Sequence, residues 1–507
     1  MQPDSKRIFL NEYINLISEI GSSLKNNVWW TTWISSKNRF MSPIGKLLQS
    51  IFFGHSPEVK ITYWNIIISF LKSLKTAFIY SYFIFVLKII FRKSLSKDLL
   101  KNKNVYLIKT FSYAHSFNSS VFQDVFFGSI PGFLKESGFL VITIIDPIGD
   151  VISASKACKR LNNTFPYLAF NRLLDIPLSL WIMAKGLIVK FPKKVDFAGK
   201  NLSNLLHRQY QTDVMSPGAF LSLLMYFSFR RISSIYNASH LLLTFENNPW
   251  ERMCILATRT VNPATIIIGY QHTVVPEASV NMFPSHQELS ASPHPDKILT
   301  VGEEPKRILQ ENGNYKSFPI ITACALRYQY LEKMPMRTGD IKKTLLVALE
   351  AANETAALLD YVLHNIRNNT EWNIIIRTHP ALPFDKLKKF LKNSLTKKVV
   401  ISKQISVQTD LDQCGIVIYW GSTVALEGLQ QGIPAIHYDN GSILSFDPLF
   451  ACKDLKWTVK SSNPLIELLD EIAKIDLSSL NNQRNKARTY LKKYFSPVTH
   501  EAMKNFL

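Results

Sequence analysis

The run Trp420-Gly-Ser-Thr-Val-Ala-Leu-Glu-Gly-Leu-Gln-Gln-Gly-Ile-Pro434 combines residues suited to gripping a phosphate. Read as a strand end, a tight turn at Gly421 and the first turn of a helix, it sets Ser422 and Thr423 where backbone N–H groups are free. The positive helix end and the two hydroxyls then form an anion site. Glu427 lies four residues after Thr423 and shares its face, where a carboxylate accepts hydrogen bonds from the two hydroxyls of a ribose. The bland alternative is a capped helix with an incidental acid. In Ile376-Arg-Thr-His-Pro380, a second strand end, Pro380 disfavours helix at His379. His379 is then a donor to a phosphate oxygen. Arg377 adds a fixed positive charge, although alternation along the strand leaves its direction open.

A second group of candidates stands earlier in the chain. Ile268-Gly-Tyr-Gln-His-Thr273 ends a strand with His272, a general base or orienting group, and Gln271, an acceptor-side candidate. Leu243-Thr-Phe-Glu-Asn-Asn-Pro-Trp-Glu251 places Glu246 just past another strand, with Pro249 opening the next helix. Glu246 is a candidate base for an acceptor hydroxyl; its alternative role is to cap that helix, which Glu251 supports. Asp146, in Asp146-Pro-Ile-Gly-Asp150, is a further acceptor-side candidate. No GxGxxG, Walker loop, HExxH or GxSxG is present. The five cysteines form no CxxC pair, so neither a zinc site nor a disulfide framework is expected.

These residues need a scaffold that brings strand ends together. Short apolar runs at Asn104–Lys109, Phe139–Ile145, His240–Phe245, Ala264–Gly269 and Lys297–Val301 alternate with helix-like stretches. Strands apolar throughout predict a parallel sheet covered on both faces. After a break near Met334–Asp340 a second series begins: strands at 344–349, 373–377, 399–401, 415–419 and 434–437, with helices between. The expected fold class is α/β, two Rossmann-like domains facing across a cleft in the two-lobed glycosyltransferase manner, with a helical, basic, apolar N-terminal region. The expected divisions are residues 1–103, an acceptor domain at 104–334, a nucleotide-sugar domain at 335–475 and a helical tail at 476–507.

Of 507 residues, 59 are Lys or Arg and 38 Asp or Glu, a net charge of +21. Residues 1–103 hold 15 basic and 5 acidic side chains, a net of +10, among many apolar ones. That mixture points to an anionic membrane surface rather than nucleic acid. In Ile61–Phe91 the longest uncharged stretch is Thr76–Leu87, so a helix lying in the headgroup region is expected rather than a span. Ile176–Phe191 and Gly218–Phe229 read the same way. With no secretory signal seen, the expected location is the cytoplasmic face of the membrane.

Taken in order, "FENNPWE", "IGYQHT", "RTHP" and "GSTVALEGLQQGIP", with "GEEPKRILQENG" and "ALRYQYL", resemble the surface carbohydrate biosynthesis proteins of spirochaete O-antigen clusters. The resemblance runs from about Phe139 to Pro448. More distantly, the His-Pro and Ser-Thr elements resemble those of capsule Kdo transferases, bacterial sialyltransferases and teichoic acid polymerases. There they hold the phosphate of a cytidine nucleotide, a role the resemblance passes to His379, Ser422 and Thr423. Arg377-Thr378-His379-Pro380 departs from the Lys/Arg-Pro-His-Pro of many relatives. The resemblance does not carry over a substrate; the expected function is a transferase moving a sugar, with a CMP-linked ulosonic acid as the preferred donor, from a nucleotide to a lipid-linked surface glycan, with no metal or other cofactor required. A sugar epimerase, a CDP-alcohol phosphotransferase and a non-catalytic scaffold are the alternatives.

Overall fold

The computed structural model describes residues 3–24, 26–55, 61–91, 104–118, 121–161, 163–367, 371–395 and 398–507. The chain forms two units. The first comprises residues 1–273, 280–327 and 498–507, and the second residues 274–279 and 328–497.

The first unit is built on seven strands: β1 (Val105–Ser112), β2 (Leu140–Pro147), β3 (Thr164–Pro166), β4 (His240–Thr244), β5 (Ile266–Gln271), β6 (Lys297–Thr300) and β7 (Ile320–Thr322). Their order is β3-β2-β1-β4-β5-β6-β7, all parallel. Leu107, Ile108, Ile144, Leu241, Leu242 and Ile268 are fully buried, as a sheet covered on both faces requires. The winding reverses between β1 and β4. In open α/β sheets that reversal leaves a crevice at the carboxyl ends of the strands. The three-residue strands β3 and β7 are too short to show a pattern in sequence.

Helices α1 (Pro3–Leu24), α2 (Ile44–Phe52) and α3 (Tyr63–Ile90) precede the sheet. They belong to the first unit rather than to a separate region. Buried Lys37 pairs with Glu288 at 2.5 Å, and Glu288 holds Arg252 at 2.7 Å. The Ile34 amide donates to Asp213 at 2.7 Å. A charged triad this far from water holds only with its partners in place, so residues 26–40 are clamped to the domain. Three more helices follow: α4 (Asp175–Leu187), α5 (Ser203–Val214) and α6 (Pro217–Tyr236). The expectation for Gly218–Phe229 is corrected: Ala219, Phe220, Leu224 and Phe229 are fully buried, making α6 a core helix. By contrast, α4 exposes Trp181, with Leu174 and Ile188 at its two ends.

By length and composition α3 can cross a membrane. Its inner flank is nevertheless docked: Ser73 Oγ donates to the Met215 carbonyl at 2.7 Å and Lys88 Nζ to that of Ala169 at 3.1 Å. Outward it shows Trp64, Leu71, Phe78, Tyr82, Phe85 and Ile89, with Phe78 80% exposed.

The second unit carries β8 (Thr344–Ala348), β9 (Asn373–Arg377), β10 (Val399–Ile401), β11 (Ile416–Tyr419), β12 (Ala435–Asp439) and β13 (Lys456–Lys460). These are parallel in the order β10-β9-β8-β11-β12-β13, the doubly wound arrangement of a dinucleotide-binding sheet. The reversal falls between β8 and β11. At Gly415, leading into β11, a Cβ would collide with the Lys342 carbonyl oxygen. A helix at Leu477–Tyr494 belongs to this unit, and its Arg484 donates to the carbonyls of Gly432 and Gly339 at 3.0 and 2.9 Å. Residues 498–507 return to the first unit, where Tyr106 Oη donates to the Phe506 carbonyl at 2.5 Å and Lys297 Nζ to that of Asn505 at 2.8 Å.

Candidate functional site

In the second unit, the register sets the carboxyl edge residue by residue. Ala348 of β8 pairs with Arg377 on one side and Tyr419 on the other. Two residues past that level stand Glu350, His379 and Gly421. A Cβ on Gly421 would lie 4.0 Å from Glu350 Oε2 and 3.2 Å from the Phe446 Cβ. A side chain would therefore narrow the mouth of the reversal point. The Phe446 loop is fixed from below. Asp447 accepts from Tyr419 Oη and the Leu449 amide, at 2.7 and 2.8 Å, and Lys456 pairs with it.

Helix α7 (Val424–Gln430) begins just past this turn. Ser422 is nearly buried, and its Oγ accepts from the Val424 amide at 3.4 Å. Thr423 makes no side-chain cap, which leaves its hydroxyl for another partner. Glu427 sits in the first turn, buried to 9% exposure. His379 is half-buried, and its Nδ1 accepts from the Ala381 amide at 3.2 Å. That bond puts the proton on Nε2 and makes the ring a neutral donor. Burial lowers its pKa, which keeps it neutral.

Arg377 requires a correction. Its guanidinium is bound to buried Asp410 and to the carbonyls of Gln404, Ile405 and Ser406. It braces the 404–406 loop, so most of its donors are engaged inside the domain. Glu350, by contrast, was not singled out in the sequence. It follows an apolar strand directly, and burial raises its pKa.

In the first unit the carboxyl edge gathers Lys109, Asp146, Glu246 and His272. Lys109 is fully buried; its Nζ lies 3.4 Å from the centroid of the Phe111 ring and 3.9 Å from Asp146 Oδ2, with no hydrogen-bond partner among the described residues. Glu246 stands with its Oε1 4.0 Å from His272 Nε2 and accepts from Asn248 Nδ2 at 3.1 Å. The helix after it is capped by Glu251, whose carboxylate accepts from the amides of Glu246 and Asn248 at 2.9 and 2.8 Å. Glu246 is thus released from the capping role, and its side chain stays 29% exposed.

The His272 ring packs edge-on against Phe126 at 4.8 Å, and burial, opposed by Glu246, brings its pKa down to about 4. It is neutral at physiological pH, which suits it to orienting Glu246 better than to taking a proton. Burial, reinforced by Glu246, raises the pKa of Glu251. Asp146 is raised by burial and pulled back by Lys109. Gln271 is fully buried. Its amide donates to the Thr273 carbonyl and accepts from the Val301 amide at 3.2 Å, so it shapes the His272 loop from within. Lys109, a lone cation in the apolar strand VYLIKTFS, also went unread.

No family model matches this chain, and no curated protein matches it. Solved structures that resemble it include a glycosyltransferase from Rickettsia africae, at 14% identity and a TM-score of 0.42, covering 79% of this chain and 97% of that one. MurG from Acinetobacter baumannii matches at 10% identity and a TM-score of 0.43, covering 78% and 98%. A UDP-GlcNAc 2-epimerase from Neisseria meningitidis bound to UDP-GlcNAc matches at 11% and 0.42, covering 79% and 98%. Likenesses this distant carry no argument about chemistry. The strand orders show directly that both units are Rossmann-like α/β domains.

Proposed function

We propose that this chain is a glycosyltransferase that moves a sugar from a nucleotide donor to a lipid-linked surface glycan. The observation that carries this reading is the edge of the second unit's sheet. There His379, with its Nε2–H donor, and Gly421, one residue before Ser422, each follow by two residues the paired positions Arg377 and Tyr419 on either side of β8, beside the reversal of strand order. Donors fixed where charge develops on a departing phosphate provide the largest share of most such catalysis. Ser422, Thr423 and His379 hold the phosphate, and Glu427 takes the ribose. In the first unit Glu246 removes the acceptor's proton, with His272 orienting it.

The step is a displacement. The acceptor oxygen bonds to the anomeric carbon, the bond from that carbon to the phosphate oxygen breaks, the nucleotide leaves, and the proton passes to Glu246. A CMP-linked ulosonic acid is the donor we favour, its single phosphate matched to one histidine and two hydroxyls without a metal. The outward face of α3, with Phe78 and Trp64 exposed, supports attachment to a membrane surface, and we place the chain on the cytoplasmic face, beside a lipid-linked acceptor.

A thermal-shift panel with CMP, CDP, UDP and GDP tests the donor site. A bound nucleotide raises the melting temperature with concentration over its dissociation constant. The expected outcome is a shift with a cytidine nucleotide, lost in His379→Ala. No shift with any of the four removes the basis of the proposal.

A further inference from the structure

The first unit contains a second feature that the transfer chemistry does not use. A cavity of about 760 Å³ lies among α3, α5, α6 and the carboxyl ends of β1 and β2. That volume is within the range of small-molecule sites. Its walls are mostly apolar, with Trp33, Phe111, Leu221 and Trp250 among them, and Asp146 stands at the sheet end. The Trp250 indole N–H finds no acceptor among the described residues.

Helix α3 both borders this cavity and carries an outward apolar face. Asn65, Ser69 and Lys72, at four- and three-residue spacing, line the cavity, while Trp64, Leu71, Phe78 and Phe85 face outward. Along the rest of the helix the buried flank is Ser73, Ala77, Ile84 and Leu87, so α3 borders the cavity with polar groups only near its start.

We infer that this cavity takes the hydrocarbon chain of a single-chain glycolipid, with the hydroxylated head toward Asp146. Aromatic and aliphatic walls suit the chain. The Asp146 carboxylate and the Trp250 indole N–H suit sugar hydroxyls, as both an acceptor and a donor are needed there. Calling this lipid the acceptor rests on the glycosyltransferase reading; the binding itself does not.

Dodecyl β-maltoside with a terminal bromine, below its micelle concentration, is the probe. A bromine drawn into the cavity quenches tryptophan fluorescence at Trp33 and Trp250. Ser69→Phe and Leu221→Phe each plug the cavity from a different helix, and Phe78→Ser alters only the outward face. Saturable quenching at one site per chain, weakened about tenfold by either plug and kept in Phe78→Ser, is expected. Quenching that survives both plugs, or vanishes in Phe78→Ser, puts the chain on the outer surface and overturns the inference, as does no quenching at all. No nucleotide is present, so failure here leaves the donor site standing, and failure of the nucleotide panel leaves this cavity standing.

Discussion

Glu246 gains its freedom from Glu251. With the helix cap supplied five residues later, the Glu246 carboxylate stands partly exposed and 4.0 Å from a neutral imidazole. Glu246→Gln keeps the shape and the Asn248 contact but cannot accept a proton. Turnover in a transfer assay is expected to fall by about 10²- to 10⁴-fold, with the melting temperature and the nucleotide shift unchanged. A variant with full glycan output would show that the chain is a scaffold or that the base lies elsewhere. Residues at this scale were legible in position: His379 and Ser422 each stand just past the end of a strand, as their local sequence predicts. The role of Arg377 was not, because Asp410, its partner, is 33 residues away and no local pattern announces it. Lys109 and Glu350 stayed hidden because each is a single charge beside an apolar run, and only the register shows which edge it joins.

Among the elements, the long strands were readable because they are buried on both faces and apolar throughout. The three-residue strands β3, β7 and β10 add little hydrophobic signal, and the first two were not foreseen. The N-terminal helices were recognised as helical and basic, yet their incorporation into the first unit depends on Lys37, Glu288 and Arg252, brought together across more than two hundred residues. Helix α3 carries its own prediction. Phe78→Ser with Tyr82→Ser removes two rings from its outward face and none from its docked flank. Flotation with vesicles of phosphatidylglycerol and phosphatidylcholine is expected to show affinity reduced about tenfold or more, from the loss of buried apolar area. Added salt should weaken the remaining binding through the basic residues. Vesicle binding equal to the wild type would detach α3 from the membrane role.

For the whole molecule, the net charge of +21 is legible at once, but the buried acids that set its response to pH are not. Asp213 is held by the Ile34 amide and by Gln209, and burial pushes its pKa up to about 7. A raised acid binds its proton more tightly folded than unfolded. Its stabilising contribution is therefore complete below about pH 4 and is lost as the pH rises to about 7. Asp213→Asn removes this dependence. Relative to the variant, the wild type should lose stability across that interval, on the order of 4 kcal/mol, then run parallel above it. Denaturant unfolding from pH 4 to 8 measures the gap. A constant gap would mean that Asp213 is ionised throughout.

The order of residues within the two units has a consequence for synthesis. The second unit is nearly continuous from 328 to 497, whereas the first is completed only by 498–507, whose Phe506 carbonyl meets Tyr106 of β1. A ribosome therefore releases the later domain's sequence before the earlier domain has its final strap. The N-terminal half must wait, with β1 and its neighbours incompletely covered, during translation of some 170 residues, a delay of about ten to thirty seconds at usual elongation rates.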